Sequence, residues 1–291
     1  MNKFFFKETG MSKKILSVKI TAMGVLLILG LLGIAWQVGC RMQTQETKKK
    51  ELGKLDKIKK AGKIIIGTSA DYPPYEFRLL PEIEDDIVGI DIDIAEAIAA
   101  DLNVKLEIKN IVFNNLFNEL TAENIDLILA GLAPTENRQK IVDFSIPYYQ
   151  AIQNMLIRVK DKEKIKLLED LRGKNVGTQT GSIQEDMARS MIVSATFVTR
   201  PTIQQLIDEL ANEKLDAVIL EKPVADTYVF KNKNFLNLEC NSDRTPLGSA
   251  AAVKKGNADL LDRVNQILER LIKENKINQF VQDAKVFTDK I

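Results

Sequence analysis

The chain has 291 residues, 45% of them hydrophobic, enough for a core shared by one or two domains. Its 41 basic and 40 acidic residues leave a net charge of +1, which argues against nucleic acid as the main partner. There is no histidine, so the commonest general base and metal ligand is missing, and the two cysteines, Cys40 and Cys240, form no zinc spacing and no CxxC. Neither a metal nor a cofactor is expected.

The first element is apolar. Lys13 and Lys14 precede an uncharged run from Ile20 to Cys40, rich in Leu, Ile and Val. A basic stretch followed by such a run is an export signal. Roughly 20 apolar residues also suffice to span a bilayer, so an uncleaved anchor stands as the alternative. Gly39-Cys40 at the end of the run resembles a bacterial lipoprotein processing site, which would make Cys40 the lipid-bearing first residue. Gln37 departs from the Leu usual three positions before that Cys. With Cys40 lipidated, Cys240 has no partner and no disulfide is expected. Residues 1–40 are thus the signal segment, and the polar, lysine-rich stretch 41–57 reads as a solvated tether.

The body of the chain opens with Lys63-Ile64-Ile65-Ile66, a strand run ending in Gly67-Thr68. Residues Leu116 to Leu129 read as an amphipathic helix, a polar turn and a buried strand. That strand ends at Ala130-Gly131, and Arg138 follows within reach of the turn. Ligands bind outside the carboxyl ends of strands in open α/β sheets, where an arginine is a bidentate clamp for a carboxylate. A surface arginine at a solvated helix start is the other reading of Arg138.

Both signals recur downstream. Gly177-Thr178 follows Lys174-Asn175-Val176, and Leu206 to Ile219 repeats the Leu, Glu, Leu, Glu, Asp pattern of 116–129 at a constant offset of 90 residues. Two similar α/β lobes explain both echoes in the same order. The second strand ends at Glu221, the counterpart of Gly131. If the lobes face each other, a cleft holds a cation on one side and an anion on the other, a pattern that asks for an amino acid. Glu221 paired with Lys222 at the surface is the plainer alternative. Further on, Leu260, Val264, Ile267, Leu268 and Leu271 show helical spacing and are expected in the core.

The motifs Gly67-Thr68-Ser69-Ala70-Asp71-Tyr72-Pro73-Pro74-Tyr75-Glu76-Phe77, Val88-Gly89-Ile90-Asp91, Ala130-Gly131-Leu132-Ala133-Pro134-Thr135-Glu136-Asn137-Arg138, Val142-Asp143-Phe144-Ser145 and Asp216-Ala217-Val218-Ile219 with Glu221-Lys222-Pro223 occur in this order. Over residues 58–291 the chain resembles the extracellular solute-binding proteins of polar amino-acid ABC transporters, bacterial family 3. The resemblance implies the periplasmic-binding-protein-like type II fold, an α/β architecture of two lobes joined by two hinge strands and closing on the ligand. The hinges are expected near Tyr149-Gln150 and near Thr245-Pro246-Leu247. Lobe 1 is then 58–148 plus 248–291, and lobe 2 is 150–245.

The resemblance also implies site roles. Arg138 takes the α-carboxylate, the backbone at Ala130, Gly131 and Ala133 helps hold the amino acid, and Glu221 takes the ammonium. Gly181 and Ser182 open a helix and are expected to add a backbone donor. Tyr72 and Phe113 match positions flanking the ligand side chain, or are ordinary core aromatics. Gln179 meets the ligand from lobe 2. Ser69 stands where many members carry Asp, Ala133 where Ser or Thr is usual, and Glu221 is one methylene longer than the common Asp. Asp71 either keeps a basic ligand in play or serves the turn before Pro73-Pro74.

The implied function is to bind a free polar or basic amino acid outside the cytoplasmic membrane and deliver it to an ABC permease, as a monomer held to the membrane by lipid or anchor. Two other classes were weighed. A dehydratase-like enzyme on this fold needs catalytic groups, and the motifs offer no His, no Cys beside a base and no paired carboxylates. A sensory module needs a further span, and after Glu221 no apolar stretch approaches 18 residues; the chain could act only with a separate membrane partner.

Overall fold

In the computed structural model the described residues are 52–79, 86–240 and 247–288. The signal segment with Cys40, and Thr245-Pro246 of the second expected hinge, lie outside them. The chain forms helix α1 at Lys54–Ala61, so residues 54–57 of the expected tether belong to the folded body instead. Leu55 and Ile58 fall one turn apart and pack into the core, and Gly62 ends the helix in the left-handed conformation. Lys54 pairs with Asp126 at 2.6 Å and the Leu55 amide donates to Asp259 at 2.9 Å, so this segment is docked.

Strand β1 (Lys63–Thr68) leads to a small antiparallel sheet of β2 (Asp71–Tyr72), β3 (Glu76–Arg78) and β4 (Ile87–Val88). Then come helix α2 (Ile90–Leu102), strand β5 (Lys105–Asn110), helix α3 (Leu116–Thr121), strand β6 (Leu127–Ile128), the short helix α4 (Glu136–Gln139) and strand β7 (Val142–Phe144). The chain crosses over to β8 (Gln153–Arg158), β9 (Asn175–Gln179), helix α5 (Ile183–Met191), β10 (Thr196–Arg200), helix α6 (Ile203–Ala211), β11 (Ala217–Glu221), helix α7 (Lys222–Lys231) and β12 (Phe235–Glu239). It returns as β13 (Ala252–Lys254), helix α8 (Ala258–Lys273) and helix α9 (Lys276–Thr288).

Two five-stranded sheets result, ordered β5-β1-β6-β13-β7 and β10-β9-β11-β8-β12. Each has three parallel strands and one returning antiparallel strand, β13 or β8, inserted before the last. This is the two-lobed type II architecture. The two crossings run side by side at one point, where Ser249 donates its amide to the Tyr149 carbonyl at 2.7 Å.

The sequence echoes pair with each other inside each lobe. Gly67 lies opposite Ile128, and Gly177 lies opposite Val218. A Cβ on Gly67 would come within 2.3 Å of Ile125 and 3.3 Å of Leu116; on Gly177 it would come within 2.6 Å of Leu215 and 2.9 Å of Leu206. These aliphatic side chains pack on bare backbone, which only glycine leaves open. The repeated aspartates each bond the strand that carries the echoed glycine: Asp126 accepts the Ile65 amide of β1 and Asp216 the Asn175 amide of β9, each at 2.8 Å. Leu260, Val264, Ile267, Leu268 and Leu271 are all buried along α8, each worth roughly 1.5–3 kcal/mol of transfer free energy. Cys240 is a free, buried thiol. Among the described residues no helix is long and apolar enough to cross a membrane.

Candidate functional site

Strand ends of both sheets converge on one narrow cavity. Ser69, Asp71, Tyr72, Glu76, Phe113, Ala130, Gly131, Ala133 and Arg138 line it from lobe 1. Gln179, Ser182, Ile183 and Gln184 line it from lobe 2.

Arg138 is placed by its own short helix. Thr135 caps α4 and accepts the Arg138 amide, which turns the side chain inward. Arg138 as a whole is only 9% exposed. It donates to the Ala133 carbonyl at 3.0 Å and, across the cleft, to the Gly181 carbonyl at 3.1 Å. Phe113 and Phe117 hold it between their rings, at 5.6 and 5.5 Å from the centroids. Burial draws its pKa down to about 10. The surface reading is therefore corrected: this is a desolvated cation on a cavity wall.

The acids lie on the opposite accounting. Glu76 is wholly buried and lines the cavity, and among the described residues its carboxylate meets no cation and no backbone donor, only the neighbouring Asp91 carboxyl. Burial, then the nearby Asp91 and Asp71, hold its carboxyl well above the usual range. Asp91 accepts the Tyr148 hydroxyl at 2.8 Å and the Gly131 amide at 2.8 Å, and burial pushes it up to about 6. Glu76 and Asp91 are thus neighbouring buried acids, which corrects the expectation that the motifs hold no paired carboxylates. Sequence reasoning quoted both residues without joining them. The available signal was a carboxylate between Tyr75 and Phe77 in an apolar strand.

Glu221 is buried but does not line the cavity. It accepts the Tyr75 hydroxyl at 2.6 Å, and its amide donates to the Tyr72 hydroxyl at 3.3 Å. Burial raises its pKa to about 7. Tyr72 and Tyr75 stack with centroids 5.6 Å apart, and the Tyr72 ring, not the Glu221 carboxylate, forms the wall there. A strand end fixes the backbone, and the longer glutamate side chain found a phenol instead of the cleft. The surface pair with Lys222 does not form either, since Lys222 bonds Asp226 at 2.6 Å.

Gly181 and Ser182 do open a helix, with Ser182 capping α5 by accepting the Glu185 amide. Their own amides are already used: Gly181 donates to the Glu185 carboxylate at 3.0 Å and Ser182 to the Gln179 carbonyl at 3.2 Å. The pattern Ser182-x-x-Glu185 is a capping box in sequence, and it signalled this. The Gly131 amide is likewise held by Asp91. Gln184, which donates to Gln153 at 2.9 Å and to the Tyr72 hydroxyl at 3.4 Å, is a cavity residue that the sequence reading missed.

Residues 64–284 match the model of the bacterial extracellular solute-binding proteins, family 3. The chain belongs to this family. Family 3 membership fits the two sheets, the cavity between them and its buried arginine. The arginine-binding extracellular protein ArtP of Bacillus subtilis (strain 168) is 37% identical over 214 residues, 72% of this chain and 80% of that protein. An amino acid ABC transporter substrate-binding protein, AbpA, from Streptococcus pneumoniae Canada MDR_19A, solved bound to L-arginine, superposes with a TM-score of 0.77. It is 32% identical, and the match covers 81% of this chain and 98% of that one. An ancestral amino acid-binding protein described as a precursor of cyclohexadienyl dehydratase superposes at 0.73 with 29% identity, covering 80% and 99%. This family 3 protein binds a free amino acid outside the cytoplasmic membrane for an ABC importer.

Proposed function

We propose that the amino acid is L-arginine, with Arg138 clamping its α-carboxylate and Glu76 taking its guanidinium. The carrying observation is Glu76, buried on the cavity wall with no cationic or backbone partner among the described residues. An unpaired buried carboxylate costs several kcal/mol, and a planar cation with a fork of donors is the group that offsets it best. Tyr72 and Phe113 give the aliphatic stem apolar walls. Ser69, Gln179, Ser182 and the backbone at Ala130, Gly131 and Ala133 complete the enclosure. The ligand ammonium is balanced by the field of Glu221, one phenol behind the wall. The arginine bound by AbpA and named for ArtP supports the same choice.

The lobes close by bending near Tyr149 and Ser249, with lobe 1 at 54–148 plus 248–291 and lobe 2 at 150–245. Cys40 carries a lipid that holds the protein at the outer face of the membrane, and the monomer hands its ligand to a permease. The cycle is binding and release without turnover.

A thermal-shift screen of the full chain against the twenty amino acids, ornithine, citrulline and cystine comes first, since a native-state ligand at a hundred times its dissociation constant adds about 2.7 kcal/mol. Calorimetry then compares L-arginine with L-citrulline, which lacks the positive charge. Arginine is expected to bind tightest, and Glu76→Gln to weaken arginine by roughly 10²-fold while leaving citrulline within threefold. Tighter binding of citrulline than arginine by the unaltered protein overturns the assignment.

A further inference from the structure

Asp71 lines the cavity, yet its carboxylate is already occupied. The Ile203 amide donates to one of its oxygens at 2.7 Å, and Gln179 donates to the same oxygen at 3.4 Å. The Ser69 hydroxyl donates to the other at 3.2 Å. Ser69 and Asp71 belong to lobe 1, whereas Gln179 and Ile203 belong to lobe 2. The shortest of these bonds therefore crosses the cleft.

The donor is a helix terminus. Ile203 is the first residue of α6, a nine-residue helix whose first-turn amides have no partner within the helix. Thr202 caps the helix in the ordinary way, its hydroxyl accepting from the Gln205 amide at 3.4 Å. That leaves the Ile203 amide for a partner from outside. When the lobes separate this amide turns to water; when they meet, Asp71 completes the cap.

We propose that Asp71 is a closure latch, holding lobe 1 against the start of α6 whichever amino acid occupies the cavity. It is a positioning residue and does not read the ligand's charge. Its acceptor oxygen is what matters. Burial pushes the carboxyl up to about 6, so the negative charge itself is a burden on the closed form. A neutral side chain with the same acceptor oxygen should therefore serve.

The test measures dissociation of radiolabelled L-arginine, and of L-citrulline, from the full chain in detergent. If the unaltered protein does not bind arginine, the tightest amino acid of the screen replaces it as probe. Asp71→Ala is expected to speed release about tenfold for every probe, chiefly from loss of the short Ile203 bond with its buried donor orphaned, the 3.4 Å Gln179 bond across the cleft going with it. Asp71→Asn is expected to restore release to within threefold of the unaltered rate. Ile203→Pro deletes the donor from the other side, and because it also trims a buried core side chain its melting point is read beside that of Ile203→Val, which trims the side chain and keeps the amide. Proline is tolerated at a first helical position, and Thr202 before it is already extended, at φ −124° and ψ 149°. This variant should match Asp71→Ala, and the double variant should add nothing further.

Hydrogen exchange on the unaltered chain gives a reading that needs no variant: the Ile203 amide should gain protection when the probe binds. The latch is overturned if that protection is absent or if Asp71→Ala releases its probe at the unaltered rate. It is also overturned if Asp71→Asn fails for arginine alone, the signature of a direct charge reader. Failure of the arginine assignment shows in the unaltered protein; failure of the latch shows in the ratio of variant to unaltered rates.

Discussion

Replacing Arg138 with methionine separates what this residue does for the fold from what it does for the ligand. The guanidinium makes two bonds to backbone carbonyls, each worth about 1.5–3 kcal/mol for a charged donor. Two aromatic rings add about 0.5–2 kcal/mol. Against this stands the desolvation of a charge, several kcal/mol. The depression of its pKa to about 10 by burial weighs roughly 3 kcal/mol against the charged form. Methionine keeps contact with Phe113 and Phe117 and carries no charge. The ligand-free variant should therefore melt no lower than the unaltered protein. With ligand present the balance reverses, because the α-carboxylate loses its partner inside a closed site. That costs roughly 3–5 kcal/mol, or about 10² to 10³·⁵ in the dissociation constant. Calorimetric titration and ligand-free melting are read side by side. A loss of affinity under threefold refutes the clamp. A ligand-free melting point lower by more than about 4 °C, roughly 1–2 kcal/mol for a domain of this size, refutes the claim that the charge is a burden to the fold.

Glu221 titrates in the same sense as the other buried acids. Its folded pKa of about 7 lies above the ordinary carboxylate value, so its stabilising share is full below that ordinary value and is lost as pH climbs through 7. Ligand-free melting should fall from pH 5 to pH 8, and Glu221→Gln should flatten part of that slope; an unchanged slope assigns it to Glu76, Asp91 and Asp71. Gly89 has φ +130°, and a Cβ there would lie 2.3 Å from the Tyr75 carbonyl oxygen, so Gly89→Ala should cost more than about 3 kcal/mol by denaturant melting. Cys40→Ser should move the protein out of the membrane fraction or leave a precursor. Absence of palmitate label in the unaltered protein decides for an uncleaved anchor.

The scaffold was legible in the sequence because it repeats. Gly67 with Ile125 and Leu116, and Gly177 with Leu215 and Leu206, are the same packing solution written twice, and repetition separates it from chance. Arg138 was legible by position, since a strand end and a capped short helix leave few directions for it. Glu76 was harder. Its importance is the absence of a cationic or backbone partner, and that emerges only after Tyr75, Phe77 and Asp91 are folded around it. Glu221 misled for a related reason: alignment of strand ends fixes a backbone, while a flexible side chain chooses among nearby donors, and the Tyr75 hydroxyl was nearest.

The place of β13 bears on the order in which the polypeptide can acquire its shape. Lobe 2 is written without interruption, so all its strands are available once Glu239 has emerged. The first sheet has a gap between β6 and β7 that only Ala252–Lys254 fills, and α8 and α9 then cover it. A nascent or translocating chain therefore holds half of its first lobe open until almost its last residues arrive. Removing those residues would leave an unpaired strand edge on each side of a missing centre, so the C-terminus acts as the keystone of the domain that begins the molecule.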